Sequence, residues 1–196
     1  VSTCPDPSQV AAYCREVKPH VMFGVPRVWE KFNAGVMAAL AADPEKAKQF
    51  DDAVAAAGPI ALRRSHGTAT EEDEATWSFL DDVAFKAVRG LLGLDELQFA
   101  ISGAAPIPAP LLTWFRAIGV PMSEVYGMSE NTGAMTWTAE KIKPGTVGPA
   151  MPGTELALAE DGEVICRGPH VFQGSPTAPE KPAETPAAGG RPHPSP

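Results

Sequence analysis

Apolar residues recur every three or four positions in five stretches between residues 7 and 118. This spacing is typical of helices that bury one face, and it predicts helices over 7–18, 26–40, 44–57, 71–92 and 108–118. Asp6 and Asp43 each precede a proline, the usual N-cap and first-turn pair, and they mark the starts of the first and third helices. No periodicity is clear from 58 to 70, so we expect a loop there.

Shorter apolar runs, bounded by helices or turn residues, predict β-strands. A buried parallel strand is expected over 20–24, and the stretch 97–126 is a strand–helix–strand crossover, which implies parallel pairing. Another strand is expected over 134–138, followed by a β-hairpin over 156–166. The sequence therefore predicts an α/β fold, a parallel sheet flanked by helices plus a β-hairpin segment.

Composition narrows the class of protein. Of the 196 residues, 44% are hydrophobic and 20% are charged, which suffices for a folded core. The formal net charge of -8 is opposite in sign to that of proteins that grip phosphate backbones, so we expect no nucleic-acid partner. No apolar run has the length of a membrane span, and residues 1–9 carry no signal-peptide pattern.

The cysteines indicate a reducing compartment. Cys4, Cys14 and Cys166 are odd in number and widely spaced, which argues against a disulfide framework and favours a cytoplasmic location. Cys166 lies on a predicted strand, so we expect a buried small hydrophobe rather than a nucleophile. Trp29, at helical spacing, is expected in the core.

Charge and proline are unevenly distributed along the chain. Segment 43–82 carries ten acidic and four basic residues, which is typical of a solvated helix face, with a docking surface for a basic partner as the alternative. Seven of the 21 prolines lie in the last 22 residues, and proline suits neither a helix interior nor a central strand. We therefore predict a domain over 1–174 and a proline-rich, disordered tail over 175–196.

Small-residue turns follow two neighbouring strands of the predicted sheet, at 102–106 and 127–133. Ligands of parallel sheets bind at the carboxyl ends of the strands, where both turns are expected. Glycine lets a ligand approach the backbone, Ser129 can donate to a phosphate oxygen, and Glu130 can hold Mg²⁺. On residue types alone, plain turns and close helix–strand packing explain these segments at least as well. Neither turn matches the P-loop or the GxGxxG fingerprint.

These turns nevertheless resemble two hallmark motifs of the AMP-forming acyl-CoA synthetases, in the adenylate-forming superfamily. The long-chain fatty acid subgroup is the most similar. The matching segments are Ser102-Gly103-Ala104-Ala105-Pro106, Tyr126-Gly127-Met128-Ser129-Glu130, Gly24–Phe32, Pro144–Pro149, Pro152–Gly153 and Gly162–Pro169. They occur in colinear order over roughly residues 5 to 174. We therefore expect a partial AMP-binding domain, part of the large N-terminal domain of such an enzyme.

The resemblance implies a reaction in two halves: a fatty acid carboxylate attacks the α-phosphate of ATP, and coenzyme A then displaces AMP. ATP, Mg²⁺, coenzyme A and a long-chain fatty acid are thus the implied cofactors and substrates. By the family pattern Tyr126 stacks on adenine, Ser129 contacts the phosphates and Glu130 coordinates Mg²⁺, and the last two are the expected catalytic residues. The implied nucleotide-binding set is Gly103, Ala104, Ala105, Pro106, Tyr126, Gly127, Met128 and Ser129.

The chain also departs from the family pattern. Ser129 stands where threonine is commoner but keeps the hydroxyl, and Asn131 replaces a residue that is often threonine, without an evident reason. The family's phosphate-binding loop, ribose-binding aspartate and catalytic lysine do not occur, so we expect an inactive fragment. A non-enzymatic nucleotide-binding or interaction module is the alternative, and a degenerate gene product is a third hypothesis. Acyl chain length, oligomeric state and peripheral membrane association stay open.

Overall fold

The computed structural model describes residues 2–172 and the short strand His193–Pro194. The chain divides into two compact units. The first contains Val1–Glu124 and Thr138–Thr146, and the second contains Val125–Trp137 and Val147–Pro196. The predicted disorder of the tail 175–196 concerns residues outside the described part, apart from His193–Pro194.

The first unit is built of helices and a parallel sheet. Its helices are α1 (Val10–Val17), α2 (Pro26–Leu40), α3 (Pro44–His66), α4 (Glu71–Leu80), α5 (Lys86–Leu92) and α6 (Ala109–Ala117). Its strands are β1 (Val21–Gly24), β2 (Phe99–Ser102) and β3 (Met122–Glu124). A 3-10 turn, Pro7–Gln9, precedes α1, and a π-helical turn, Asp81–Phe85, interrupts the single helix predicted over 71–92.

The three strands pair in the order β1-β2-β3, and both pairs are parallel. Val21 lies opposite Phe99, and Ser102 lies opposite Glu124. The β2–α6–β3 segment is the predicted crossover. Together with the hairpin of the second unit, this sheet confirms the predicted α/β fold class.

Helix α3 extends through much of the stretch predicted to be a loop. It begins behind Asp43, whose carboxylate accepts a hydrogen bond from the amide of Lys46 at 3.2 Å, and it continues past Pro59 to His66. Proline removes one helical hydrogen bond and usually interrupts a helix. The loop predicted over 58–70 is therefore wrong for residues 58–66.

Packing against α6 explains why this helix continues. Gly58 and Ile60 are both buried, and a Cβ added to Gly58 would lie 3.4 Å from Cγ2 of Thr113 in α6. The glycine therefore lets the two helices approach closely, and burial of this face outweighs the local signal of a Gly-Pro pair.

Aromatic side chains form the centre of the core of the first unit. Trp29 is completely buried, as predicted, and its ring meets that of Phe115 edge to face at 5.5 Å between centroids. Its Nε1–H donates to the carbonyl of Gly24 at 3.1 Å, so α2 is tied to the carboxyl end of β1. The arrangement leaves no polar atom of this tryptophan unsatisfied.

One face of the sheet remains exposed in the described part of the chain. Val21 is 57% exposed, Phe23 is 59% exposed and Phe99 is 37% exposed. Alternate residues of a strand share a face, and Val21 pairs with Phe99, so the three form one apolar surface, here called the open sheet face. The prediction for 20–24 is right for the parallel pairing and wrong for complete burial.

The second unit consists of antiparallel strands. β4 (Tyr126–Met128) pairs with β5 (Gly133–Thr136), while β6 (Glu155–Leu158), β7 (Val164–Arg167) and β8 (His193–Pro194) form a second sheet in that order. The predicted hairpin over 156–166 is confirmed as β6–β7. None of the helices in the described part of the chain combines the length and apolar character that a membrane crossing needs.

Candidate functional site

The candidate residues fall into two groups, one in each unit. Gly103–Pro106 belong to the first unit and Tyr126–Glu130 to the second. Within the first group, Ser102 ends β2 and is buried with Gly103, while Ala104–Pro106 form an exposed turn. The turn therefore follows the carboxyl end of a parallel strand, as predicted.

Backbone amides at both ends of this turn donate hydrogen bonds to groups at the ends of the neighbouring strands. The amide of Gly103 donates to the carbonyl of Gly24 at the end of β1, at 3.4 Å. On the other side, the amide of Ile107 donates to Oε1 of Glu124 at the end of β3, at 3.2 Å. Between them Ala104 adopts a left-handed backbone conformation with φ of 67°. Such a conformation is unfavourable for alanine, so the flanking contacts determine the shape of the turn.

Glu124 is a buried carboxyl group that the sequence does not single out. It is 8% exposed, and burial raises the pKa of its carboxyl, an effect that the hydrogen bond from Ile107 opposes. The hydroxyl of Ser102, opposite Glu124 in the sheet register, is also buried and has no hydrogen-bond partner among the described residues. The strand register that places these residues side by side was the missing information.

In the second unit, β4 places the tyrosine and glycine of the second motif. Parallel pairing of the preceding strand ends at Glu124, and Tyr126–Met128 pair with β5 instead. The crossover predicted over 97–126 is therefore wrong in extending its last strand to Tyr126, because the pairing changes from parallel to antiparallel at Val125. A Cβ on Gly127 would lie 1.7 Å from the carbonyl oxygen of Gly133, so this strand pair requires glycine there.

Tyr126 borders an open pocket within the second unit. The pocket has a volume of about 570 Å³ and is lined by Tyr126, Thr136, Val147, Leu156, Ala157, Leu158 and Val164. Most of these side chains are aliphatic, so the tyrosine ring adjoins a largely apolar space. Such an environment suits the face of a planar ring.

Ser129–Asn131 form a single 3-10 turn after β4, here called the Glu130 turn together with Thr132. Ser129 is exposed and Glu130 is half-buried. Oδ1 of Asn131 accepts a hydrogen bond from the amide of Met128 at 3.0 Å, and the asparagine is almost completely buried. This contact gives the asparagine a structural role in the turn, while its buried Nδ2 has no hydrogen-bond partner among the described residues.

Glu130 supplies the one carboxylate of the Glu130 turn. Proteins that bind Mg²⁺ with a nucleotide commonly supply one or two carboxylates, and phosphate oxygens and water complete the shell. Residues 2–172 contain no group of three or more His, Cys, Asp and Glu side chains arranged to hold a metal by themselves. A half-buried carboxylate such as that of Glu130 could supply one oxygen ligand to a metal of this kind.

Cys166 behaves as its sequence position indicates. It is almost completely buried on β7, and burial raises the pKa of its thiol. A buried thiol of raised pKa is a poor nucleophile at neutral pH.

Comparison with known proteins gives a consistent result. The family described as "AMP-binding enzyme" matches residues 1–175. The putative fatty-acid–CoA ligase FadD11 of Mycobacterium tuberculosis is 37% identical over 190 residues, which is 94% of this chain and 33% of that protein. The long-chain-fatty-acid–CoA ligase FadD15 of Mycobacterium bovis is 33% identical over 80% of this chain and 26% of its own length. The chain thus spans about a third or less of these relatives.

Among solved structures, the anthranilate CoA ligase AuaEII in complex with anthranoyl-AMP is similar over 86% of this chain and 25% of that one. The sequence identity is 18% and the TM-score is 0.49.

Proposed function

The chain belongs to the AMP-binding enzyme family, and from that membership we propose that it carries part of the ATP site of a fatty-acid–CoA ligase. The observation that carries the proposal is the match to fatty-acid–CoA ligases across nearly the whole chain, including both candidate turns. In the proposed reaction a carboxylate oxygen of the fatty acid bonds to the α-phosphorus of ATP, and pyrophosphate leaves. The thiol of coenzyme A then bonds to the acyl carbon, and AMP leaves.

We assign roles to the residues of the two turns on this basis. By the family pattern, the small residues that let adenine approach are the buried Gly103 and, after it, the exposed Ala104, Ala105 and Pro106. Tyr126 covers the adenine ring, which is consistent with its position beside an apolar pocket. Gly127 and Met128 contribute backbone between Tyr126 and the Glu130 turn.

The remaining roles are electrostatic. The exposed hydroxyl of Ser129 donates to a phosphate oxygen, and the carboxylate of Glu130 holds Mg²⁺. The metal neutralises phosphate charge when bound. Chemistry of this kind depends chiefly on positioning and on charge neutralisation, so a precisely held carboxylate is the main requirement.

Titration calorimetry of the 196-residue chain with ATP in the presence of Mg²⁺ tests this function. We expect Glu130→Ala to weaken binding of Mg·ATP by about tenfold or more, the scale of a lost charged contact, and to leave ATP binding in excess EDTA unchanged. Glu160→Ala is the matched control, because Glu160 is an exposed glutamate of the same unit. Equal affinities for the wild type and Glu130→Ala would contradict the assignment.

A further inference from the structure

The motif Gly162–Pro169 plays no part in the proposed ATP site. The chain continues past β7 as the segment Gly168–Phe172, here called the brace, and the brace contacts the Glu130 turn twice. The amide of Phe172 donates to the carbonyl of Glu130 at 2.7 Å. The hydroxyl of Thr132 donates to the carbonyl of His170, also at 2.7 Å. The brace therefore contacts the turn at the carbonyl of Glu130, the residue assigned to Mg²⁺, and at the hydroxyl of Thr132, two residues further along the chain.

The brace is itself fixed by contacts within the second unit. Nε2 of His170 lies 3.3 Å from the hydroxyl of Thr154, within hydrogen-bond distance. The amide of Val171 donates to the carbonyl of Gly168 at 3.2 Å, which closes a tight turn. A Cβ on Gly168 would lie 2.4 Å from Cε1 of His170, so glycine is needed for the imidazole to occupy this place.

The Glu130 turn has few internal contacts by comparison. It is one 3-10 turn, closed by the bond from the amide of Thr132 to the carbonyl of Ser129 at 3.0 Å and by the side chain of Asn131. Ser129 and Thr132 are exposed. A short turn orders its backbone at an entropic cost, and hydrogen bonds from outside the turn reduce the part of that cost that falls on ligand binding.

We propose that the brace is the positioning element for the carboxylate of Glu130, and that Thr132 is the positioning residue through which it acts. This inference rests on the proposed role of Glu130 with Mg·ATP. Functional groups must be held within about half an ångström of their working geometry, which a frayed turn does not achieve. The brace supplies that restraint from β7, an element that belongs to a different sheet.

The test compares Thr132→Val, which removes the hydroxyl at nearly constant shape, with Thr132→Ser, which keeps it. Hydrogen exchange in the 196-residue chain directly measures how strongly the brace protects the amides of the Glu130 turn and of Phe172. We expect Thr132→Val to speed exchange at the amides of Phe172 and Thr132 by about fivefold, the effect of losing one hydrogen bond of average strength. We expect Thr132→Ser to exchange within about twofold of the wild type.

Mg·ATP affinity reports the positioning role. We expect Thr132→Val to raise the dissociation constant of Mg·ATP by about fivefold, with ATP binding in EDTA unchanged, and Thr132→Ser to restore it. Thr146→Val is the matched control, because its hydroxyl also donates to a backbone carbonyl, that of Lys143 at 2.8 Å, in the first unit. It should change neither measurement.

The outcomes separate the two proposals. If Glu130→Ala weakens Mg·ATP binding but Thr132→Val does not, the positioning role is overturned and the ATP site stands, whatever the exchange rates. Unchanged hydrogen exchange in Thr132→Val would contradict the claim that the brace restrains the Glu130 turn. A wild-type chain that shows no Mg²⁺-dependent ATP binding overturns the proposed site, while the exchange measurement still decides whether the brace restrains the turn.

Discussion

At the scale of single residues, one carboxyl group, that of Glu124, makes the stability of the folded chain depend on pH. Its pKa lies above the ordinary value of 4.5, because burial penalises its charged form. The folded chain therefore binds this proton more tightly than the unfolded chain does. The stabilisation from this group is complete below about pH 4.5 and is lost as the pH rises through the raised pKa of the folded state.

We expect Glu124→Gln to remove that pH dependence. The amide oxygen of glutamine can still accept the hydrogen bond from Ile107, and the amide carries no charge at any pH. Urea unfolding between pH 4 and 8 should show a flatter profile for Glu124→Gln and a more stable protein at pH 7. Glu160→Gln, at an exposed glutamate, should keep the wild-type profile. A wild-type slope in Glu124→Gln would show that another group is responsible.

For single residues, the sequence identifies the two candidate turns but not the residues that restrain them. Small residues after a strand, and a tyrosine before glycine, are visible as motifs. Glu124, by contrast, resembles an ordinary surface carboxylate in the sequence. Its burial depends on the register of β3 against β2, a contact between residues distant in the chain. The left-handed Ala104 was equally hidden, because alanine carries no signal for that conformation.

At the scale of elements, the β4–β5 pair depends on a close approach between two backbones. Gly127→Ala would place a methyl group on the carbonyl of Gly133, and backbone cannot yield as a flexible side chain does. We expect a loss of at least about 2 kcal/mol in the free energy of unfolding, measured in urea, with loss of amide protection in β4 and β5.

Gly35→Ala is the control for the same chemical change. Gly35 lies inside α2, where an added Cβ meets nothing within 4 Å. Alanine favours a helix over glycine by up to about 1 kcal/mol, so this variant should be slightly more stable than the wild type. A Gly127→Ala protein as stable as the wild type would contradict the tight pairing of these strands.

Elements whose signals are local were predicted most accurately. The proline-led starts of α2 and α3, the β6–β7 hairpin and the β2–α6–β3 crossover all appear where pattern and turn residues place them. Two errors have one cause. The loop over 58–70 was predicted from missing periodicity, whereas α3 continues through Gly58 because it packs on α6, a contact that is invisible locally. The change of pairing at Val125 likewise depends on the partner strand rather than on the residues themselves.

At the scale of the whole molecule, the open sheet face has a measurable consequence. Parallel sheets are normally covered on both faces, and contiguous exposed apolar side chains promote association. We expect Phe23→Lys to bind less of a hydrophobic fluorescent dye and to scatter less light when the protein is concentrated. The free energy of unfolding should change by no more than about 0.5 kcal/mol.

Phe79→Lys is the matched control for that variant. Phe79 is 63% exposed on α4 and does not belong to the sheet. It should reduce dye binding less than Phe23→Lys does. Equal reductions would show that exposed area alone, rather than the continuity of the sheet face, determines association.

Fold class and family membership were both accessible from the sequence, but by different routes. Periodicity and the crossover rule predict the α/β class without reference to any relative. Family membership rests on motifs in colinear order, because Gly, Ser and Glu in a turn have no unique physical meaning. What neither route supplies is how the turns are held, which depends on contacts such as Thr132 with His170.

The strand registers also determine the order in which the chain is expected to fold. Pairing Val21 with Phe99 closes a loop of roughly 75 residues, whereas the β6–β7 hairpin closes only a few. Short hairpins form in about 1–10 μs, and long-range parallel pairing is far slower because loop entropy is lost before contacts compensate for it. The Glu130 turn, between β4 and β5, thus belongs to the early-forming part of the chain. The turn at Ala104–Pro106 follows β2, so it is expected to form only after the parallel strands have paired.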